Sequence, residues 1–186
     1  MPSNTTDQQT ALIIGLVWTG EVNDHQTYFK CLLDPSFRDM DAILFVPADN
    51  FGLWSHGTVE QRILEFINYV SKHWPINPDR IVITGYSIGG TGSWYYAINH
   101  SDIFRASIPM AATHGFNQNA QIPVYGICGD QDELVTCSEM EQLVKNSNSD
   151  LSTFEIATNL THFDACNYVR SLTNGANWLE NTVFED

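Results

Sequence analysis

Short apolar runs alternate with longer helix-patterned stretches along this chain of 186 residues, and no other feature constrains its fold as strongly. Several of the runs are continuously apolar, which is typical of strands that are covered on both faces. The alternation predicts an α/β fold with about six mostly parallel strands and helices on both faces of the sheet. The predicted strands are Ala11–Val17, Ala42–Val46, Arg80–Thr84, Ala106–Met110, Ile122–Cys128 and Leu151–Ala157.

The clearest helix pattern covers Thr58–Trp74, where apolar residues recur every three or four positions. Thr58 and Gln61 have the spacing of a capping box, and Pro75 marks the end of the helix. The polar residues 1–10 are predicted to be a disordered tail, and residues 11–186 to form a single domain. Weaker helix patterns cover Tyr28–Leu33, Ile88–Asn99, Ser138–Asn146 and Asp164–Leu179.

Charge and composition exclude some functions. The net charge is −14 with only 8 Lys and Arg residues, so no basic surface is expected for a nucleic-acid partner. No apolar run approaches the roughly 20 residues that span a membrane, and the first residues lack the pattern of a secretory signal. We therefore expect a cytoplasmic protein without membrane insertion, and the oligomeric state stays open.

The cysteines form no C-x-x-C pair and no zinc-binding spacing. Free thiols are the expected state, and a disulfide that braces the catalytic loops is the less favoured alternative. The four residues are Cys31, Cys128, Cys137 and Cys166.

The segment Gly85-Tyr86-Ser87-Ile88-Gly89 has the pattern G-x-S-x-G between a predicted strand and a predicted helix. At such a junction the turn is sharp, and glycine is needed on both sides because a side chain would collide with neighbouring elements. The serine hydroxyl is then exposed at the edge where parallel strands end, beside a helix N-terminus. This context favours a nucleophilic Ser87 over a glycine-rich turn that merely contains serine.

A nucleophilic serine needs a histidine base and a carboxylate that orients it. Loops at the correct edge hold His25, His56, His114 and His162, whereas His73 and His100 fall at helix ends on the opposite edge. The chain order serine, acid, histidine favours His162. The remaining carboxylate candidates follow the fifth strand, and they are Asp130, Asp132 and Glu133.

The run NPDRIVITGYSIGGTGSW, residues 77–94, and its continuation to Ala106 resemble the α/β-hydrolase fold. The similarity is to the branch with phospholipase/carboxylesterase, polyhydroxybutyrate-depolymerase-like and prolyl-oligopeptidase-like hydrolases. GDQDELV, residues 129–135, is similar to the G-x-x-D-x-x-V of that family, and this selects Asp132 over Asp130. Thr161-His162 falls where the family has its catalytic histidine. The resemblance implies a minimal α/β-hydrolase fold of six parallel strands without a cap domain.

The chain departs from this family after the first strand. Family members carry H-G-x-G there, and this sequence reads Val17-Trp18-Thr19-Gly20. The resemblance implies that the N–H groups of Ile88 and Thr19 form the oxyanion hole. The residues expected to contact the substrate are Trp18, Phe51, Trp54 and Tyr86. Packing within the loop after the second strand is an equal alternative for Phe51 and Trp54, and packing is the favoured role for Tyr86.

These residues indicate a serine hydrolase that cleaves small carboxylic esters of short acyl chain through an acyl-enzyme. Ser87 would be the nucleophile, His162 the base and Asp132 the orienting acid, and no metal or organic cofactor is implied. A small serine peptidase or a thioesterase with the same triad is the nearest alternative. A non-catalytic binding protein with this fold is a further alternative, supported by the altered segment at residues 17–20.

Overall fold

The computed structural model describes residues 10–18, 23–48 and 54–185, and it confirms the α/β fold. Six parallel strands form one sheet. Thr10 belongs to the first strand, one residue earlier than expected, and the rest of the predicted tail lies outside the described residues. The strands are β1 (Thr10–Leu16), β2 (Ala42–Phe45), β3 (Ile76–Tyr86), β4 (Ala106–Met110), β5 (Tyr125–Gly129) and β6 (Thr153–Ala157).

The strand order in the sheet is β2-β1-β3-β4-β5-β6. From β1 the chain moves outward to β2, then returns across β1 to β3 and continues in the other direction. The order therefore reverses between β1 and β3, and ligands of open parallel sheets bind in the crevice beyond such a reversal. Trp18 follows β1 and Ser87 follows β3, so both residues lie at this crevice.

Each segment that the sequence analysis predicts to be helical contains a helix. The first helical stretch is longer than expected, because α1 (Asp24–Tyr28), a π-helical turn (Phe29–Leu33) and α2 (Asp34–Phe37) follow one another without a break. The last is also composite, with a 3-10 turn (Ala165–Tyr168), α6 (Val169–Trp178) and a second π-helical turn (Leu179–Val183). The remaining helices are α3 (Gly57–His73), α4 (Ile88–Asn99) and α5 (Cys137–Lys145).

The predicted capping box at the start of α3 is wrong. The helix begins at Gly57, and the carbonyl of His56 accepts the N–H groups of Val59 and Glu60. Thr58 is therefore already inside the first turn. The amide of Gln61 donates to Glu65 at 2.8 Å instead of returning to the cap.

Both faces of the central strands are buried. Every residue of β4 and β5 is buried, as are all residues from Ile81 to Tyr86 in β3. Since successive strand residues point to opposite faces, this pattern requires cover on both sides of the sheet. None of the helices in the described ranges is long and apolar enough to cross a membrane.

Candidate active site

Ser87 lies at the sharp turn between β3 and α4. Its φ of 53° and ψ of −117° are unusual for a residue with a side chain. The turn is tight enough that a Cβ atom on Gly85 would lie 2.1 Å from the carbonyl oxygen of Gly89, and one on Gly89 would lie 2.0 Å from that of Leu16. Backbone atoms cannot move aside as a flexible side chain can. Both glycines are therefore required by close backbone approach, as the sequence pattern predicts.

The structure brings Ser87, His162 and Asp132 together. Ser87 Oγ lies 2.8 Å from His162 Nε2. On the other side of the ring, His162 Nδ1 lies 2.9 Å from Asp132 Oδ2 and 3.1 Å from Oδ1. Asp132 is fully shielded from solvent and the His162 side chain is 10% exposed. This is the geometry in which a histidine takes the proton of a serine while a carboxylate fixes its tautomer.

The loop after β5 holds Asp132 through its own backbone. Asp132 Oδ1 accepts the N–H groups of Leu134 at 2.9 Å and Val135 at 2.8 Å. These two bonds leave Oδ2 directed at the imidazole. Asp130 lies outside this arrangement, since its carboxylate accepts the N–H of Asn159 at 2.6 Å.

The peptide groups of His162 are held on both sides. The N–H of His162 donates to Glu133 Oε2 at 3.0 Å, and the hydroxyl of Tyr86 donates to the His162 carbonyl at 2.9 Å. Burial raises the pKa of Tyr86, so the phenol keeps its proton and remains a donor. The sequence analysis considered Glu133 only as a candidate acid, and Tyr86 only as a packing residue or a substrate contact. The sequence motifs that contain Glu133 and Tyr86 do not show that these side chains bind the backbone of His162, because His162 is distant in the chain.

A short turn fixes the segment around His162. Asp164 Oδ2 accepts the hydroxyl of Thr161 at 2.7 Å and its N–H at 2.9 Å. The hydrogen bonds from the hydroxyl and then the N–H of Thr161 lower the pKa of the Asp164 carboxyl. The carboxylate therefore stays ionised to a lower pH than that of an ordinary aspartate.

The other histidines have different partners or positions. His100 Nε2 lies 2.6 Å from Glu60 Oε1, and His73 Nδ1 lies 2.7 Å from the carbonyl of Tyr69. His114 stacks on Phe116, with ring centroids 5.2 Å apart. Of the last two candidates, His56 is the N-cap residue of α3 and His25 lies in α1.

One of the two expected oxyanion donors is described. Ile88 is the first residue of α4, and the first N–H groups of a helix have no acceptor within the helix. This N–H belongs to the residue directly after Ser87, where the positive end of the helix dipole favours an anion. Thr19, the other expected donor, lies outside the described residues.

A pocket of about 520 Å³ opens at Ser87 and His162. Of the expected substrate contacts, Trp18 and Tyr86 line this pocket, with their ring centroids 6.1 Å apart in an edge-on arrangement. Leu134 and Phe163 also line the pocket, and the sequence analysis did not identify them. Leu134 closely follows Asp132 in the chain, and Phe163 directly follows His162. This proximity in the sequence could have identified both residues.

Of the two roles considered for Trp54, the structure supports packing and contradicts contact with a substrate. Its side chain is 2% exposed, and its indole N–H donates to the carbonyl of Val17 at 3.0 Å. The Cβ of Trp54 also fills the space beside Gly92 in α4. Trp54 is therefore a core residue. Phe51, expected to act with it, lies outside the described residues.

The expectation of free thiols is also wrong, because all four cysteines are paired. Cys128 and Cys137 close the loop that carries Asp132, with Cα atoms 5.5 Å apart. Cys31 and Cys166 join the first helical stretch to the wall of the pocket, with Cα atoms 5.2 Å apart. Both distances lie in the range that a disulfide requires.

The described structure resembles solved hydrolases of low sequence identity. Fluorophosphonate-binding serine hydrolase F of Staphylococcus aureus, FphF, superposes with a TM-score of 0.75 at 16% identity, covering 97% of this chain and 88% of that chain. S-formylglutathione hydrolase FrmB from the same organism gives 0.73 at 17% identity, covering 97% and 85%. Est1E of Butyrivibrio proteoclasticus gives 0.69 at 14% identity, covering 100% and 93%. These structures share the fold.

Sequence comparison places the chain in a family. Protein usf of Aquifex pyrophilus is 29% identical over 73 residues, which cover 37% of this chain and 32% of that protein. The chain therefore matches about a third of the length of this curated relative. The model of the dienelactone hydrolase family matches residues 49–162, which hold Ser87, Asp132 and His162. Since this match covers more than half of the chain, the protein belongs to the dienelactone hydrolase family.

Proposed function

We propose that this protein is a serine carboxylesterase that uses Ser87, His162 and Asp132 as a catalytic triad and forms an acyl-enzyme. The observation that carries the proposal is the continuous hydrogen-bonded chain from Ser87 Oγ through both ring nitrogens of His162 to Asp132. This chain opens on a pocket of about 520 Å³, a size suited to a small-molecule substrate.

The first half of the reaction acylates the serine. Ser87 Oγ attacks the ester carbonyl carbon while His162 Nε2 takes the hydroxyl proton. The carbonyl oxygen becomes an anion that accepts the N–H of Ile88 and, in our proposal, that of Thr19. The bond to the alcohol oxygen then breaks, and the alcohol leaves with the proton that His162 returns to it.

The second half releases the acid. A water molecule attacks the acyl-enzyme carbonyl and gives a proton to His162 Nε2. Collapse of this second tetrahedral intermediate breaks the bond to Ser87 Oγ, which takes the proton back from His162. The products are one alcohol and one carboxylic acid, and the enzyme returns to its starting state.

Asp132 stabilises the histidine through both of these steps. It is shielded from solvent, so its attraction for the positive imidazolium is screened less than at the surface. The two backbone N–H groups on Oδ1 keep the carboxylate from rotating away from the ring. This support of the orienting acid favours catalysis over a binding protein that merely retains the fold.

The two disulfides bear on where the protein acts. Structural disulfides persist in oxidising compartments and are rare in the cytosol. The pairs Cys31–Cys166 and Cys128–Cys137 therefore favour an oxidising compartment over the cytoplasm that the sequence analysis predicts.

The proposal is tested with a fluorophosphonate probe and a substrate panel. We expect stoichiometric labelling of the wild type, peptide mapping of the adduct to Ser87, and loss of both labelling and esterase activity in Ser87→Ala. Ser138→Ala, which changes an exposed serine on α5, is the matched control and should behave as wild type. The panel compares p-nitrophenyl esters with matching thioesters and aminoacyl-p-nitroanilides. Labelling that persists in Ser87→Ala would overturn the assignment, and faster cleavage of anilides would favour the peptidase.

A further inference from the structure

Three large hydrophobic side chains around the pocket are open to solvent. Phe163 is 76% exposed, Leu134 is 64% exposed and Ile88 is 46% exposed. Scattered single hydrophobic residues are normal on a surface, but several around one cleft mark a site that binds apolar groups.

These side chains stand on different sides of the nucleophile. Phe163 follows the base directly, and its ring meets that of His162 edge-on with centroids 5.8 Å apart. Leu134 lies in the loop that carries Asp132, to which its own N–H is bonded. Phe163 and Leu134 are therefore on the His162 side of the pocket, whereas Ile88 begins α4 on the oxyanion side.

The chemistry assigns the His162 side to the alcohol part of an ester. In the tetrahedral intermediate the oxyanion faces the N–H of Ile88, and the leaving oxygen must be within reach of the proton on His162 Nε2. The group attached to the leaving oxygen consequently extends past His162. The acyl chain occupies the remaining direction, away from that side.

We propose that Phe163 and Leu134 form the alcohol subsite, and that the enzyme selects esters of apolar alcohols, with aromatic alcohols preferred. This inference rests on the proposed function. The polar groups on the same wall do not compete, since Asp164 is engaged with Thr161 and accepts the amide of Asn167 at 3.3 Å. An aromatic alcohol group gains edge-on or offset contact with Phe163 and covers Leu134.

The test compares two acetate esters whose alcohols have similar acidity, benzyl acetate and 2-methoxyethyl acetate. Both give the same acetyl-enzyme, so a difference in kcat/KM reports only on steps that involve the alcohol. We expect the wild type to favour benzyl acetate by more than about tenfold. Phe163→Ala should lower this ratio roughly five- to tenfold, and Leu134→Ala about threefold, which are the losses typical of a single aromatic or aliphatic contact.

Two controls separate the subsite from general effects. Tyr69→Ala removes another exposed aromatic ring, 57% exposed and on α3, and should leave the ratio unchanged. The ratio between benzyl butyrate and benzyl acetate, which varies only the acyl group, should also be unchanged in Phe163→Ala and Leu134→Ala.

A ratio near one in the wild type, or one that neither substitution alters, would overturn the alcohol subsite. A change in the acyl ratio would place the two residues at the acyl group instead, and would also overturn it. Failure of the proposed function has a different signature: neither acetate is hydrolysed, or Ser87→Ala hydrolyses both as the wild type does.

Discussion

The hydroxyl of Tyr86 donates a hydrogen bond to the carbonyl oxygen of His162, so the residue before Ser87 holds the backbone of His162. Tyr86 is buried at the end of β3, and its ring also packs edge-on against Trp18 and Tyr168. The Tyr86 side chain thereby links the sharp turn at Ser87, called the elbow below, to the loop that carries His162.

Removal of this bond is expected to reduce catalysis more than binding. Tyr86→Phe keeps the ring contacts and leaves the His162 carbonyl without its donor, at a cost of about 1 kcal/mol in the free energy of unfolding. We expect kcat to fall several-fold with little change in KM, measured by steady-state kinetics beside urea unfolding. Tyr95→Phe, which removes a hydroxyl bonded to Glu60, is the control and should leave kcat unchanged. An unchanged kcat in Tyr86→Phe would show that the loop holds His162 without this bond.

Asp132→Asn should lower kcat by about 10⁴-fold, the loss known for this substitution in the serine-protease triad. The asparagine oxygen can still accept the N–H groups of Leu134 and Val135, so its NH₂ group faces His162 Nδ1. That donor forces the proton of the imidazole onto Nε2. The protonated Nε2 can then no longer accept the proton of Ser87. Kinetics and circular dichroism together distinguish this tautomer effect from unfolding.

Asp130→Asn is the matched control for that experiment. Its side-chain oxygen can still accept the N–H of Asn159, and it has no bond to His162 among the described residues. We expect kcat within about threefold of wild type, the range of ordinary surface substitutions. A larger loss here than in Asp132→Asn would mean that the wrong carboxylate has been assigned to the triad.

Gly89→Ala should abolish the fold around the elbow. The added methyl group would lie 2.0 Å from the carbonyl oxygen of Leu16, and strand β1 would have to move to admit it. We expect a loss of about 4 kcal/mol or more in the free energy of unfolding, or failure to accumulate as soluble protein. Gly115→Ala, with nothing within 4 Å of the added atom, should have the stability of wild type. Equal thermal midpoints for the two variants would contradict the steric argument.

We expect the enzyme to prefer esters with short acyl chains. In the described residues no cap domain covers the pocket, and each CH₂ contributes about 0.8 kcal/mol only while it is shielded from water. We expect kcat/KM to peak between acetyl and butyryl along the p-nitrophenyl series, measured below any micelle-forming concentration. The alcohol is constant in this series, so the result is independent of the alcohol subsite. A steady rise through octanoate and beyond would require an acyl tunnel.

The two disulfides should contribute unequally to stability and activity. The chain-entropy model gives about 5 kcal/mol for Cys31–Cys166, with a separation of 135 residues, and about 3 kcal/mol for Cys128–Cys137, with a separation of 9. Double-alanine variants compared by urea unfolding should show this order. Loss of Cys128–Cys137 should nevertheless reduce kcat more, because that pair closes the loop holding Asp132. The reverse order for kcat would place the sensitive element at the Cys166 wall instead.

The sequence carried enough information for the sheet and for the residues around Ser87. Continuous apolar runs such as Ala11–Val17 indicate burial on both faces, and G-x-S-x-G indicates a turn that excludes side chains. Both signals are local in the chain. The candidate partners of Ser87 were then limited to the loops at the edge where parallel strands end. Among these candidates, chain order favoured His162 and family similarity selected Asp132.

Other features depend on contacts between distant parts of the chain. Cysteine spacing does not determine pairing, so no sequence pattern indicates that Cys31 is joined to Cys166. Trp54 is buried because its indole N–H donates to the carbonyl of Val17, a contact between distant parts of the chain that the local sequence does not show. The exposure of Phe163 likewise depends on how the loop of His162 lies beside the loop of Asp132. The periodicity of apolar residues does not predict this arrangement.

Because every neighbouring pair of strands is parallel, none of these pairings can form through a tight hairpin. The chain must close a crossover for each pair, and such non-local contacts slow folding. The elbow needs three strands at once: Gly89 packs on the end of β1, Ser87 follows β3, and the N–H of Ser87 donates to Met110 at the end of β4. During synthesis, a nascent chain that ends before β4 contains the serine without the conformation that would expose it. His162 is added later still, so the arrangement of Ser87, Asp132 and His162 can form only after the chain has been synthesised through His162.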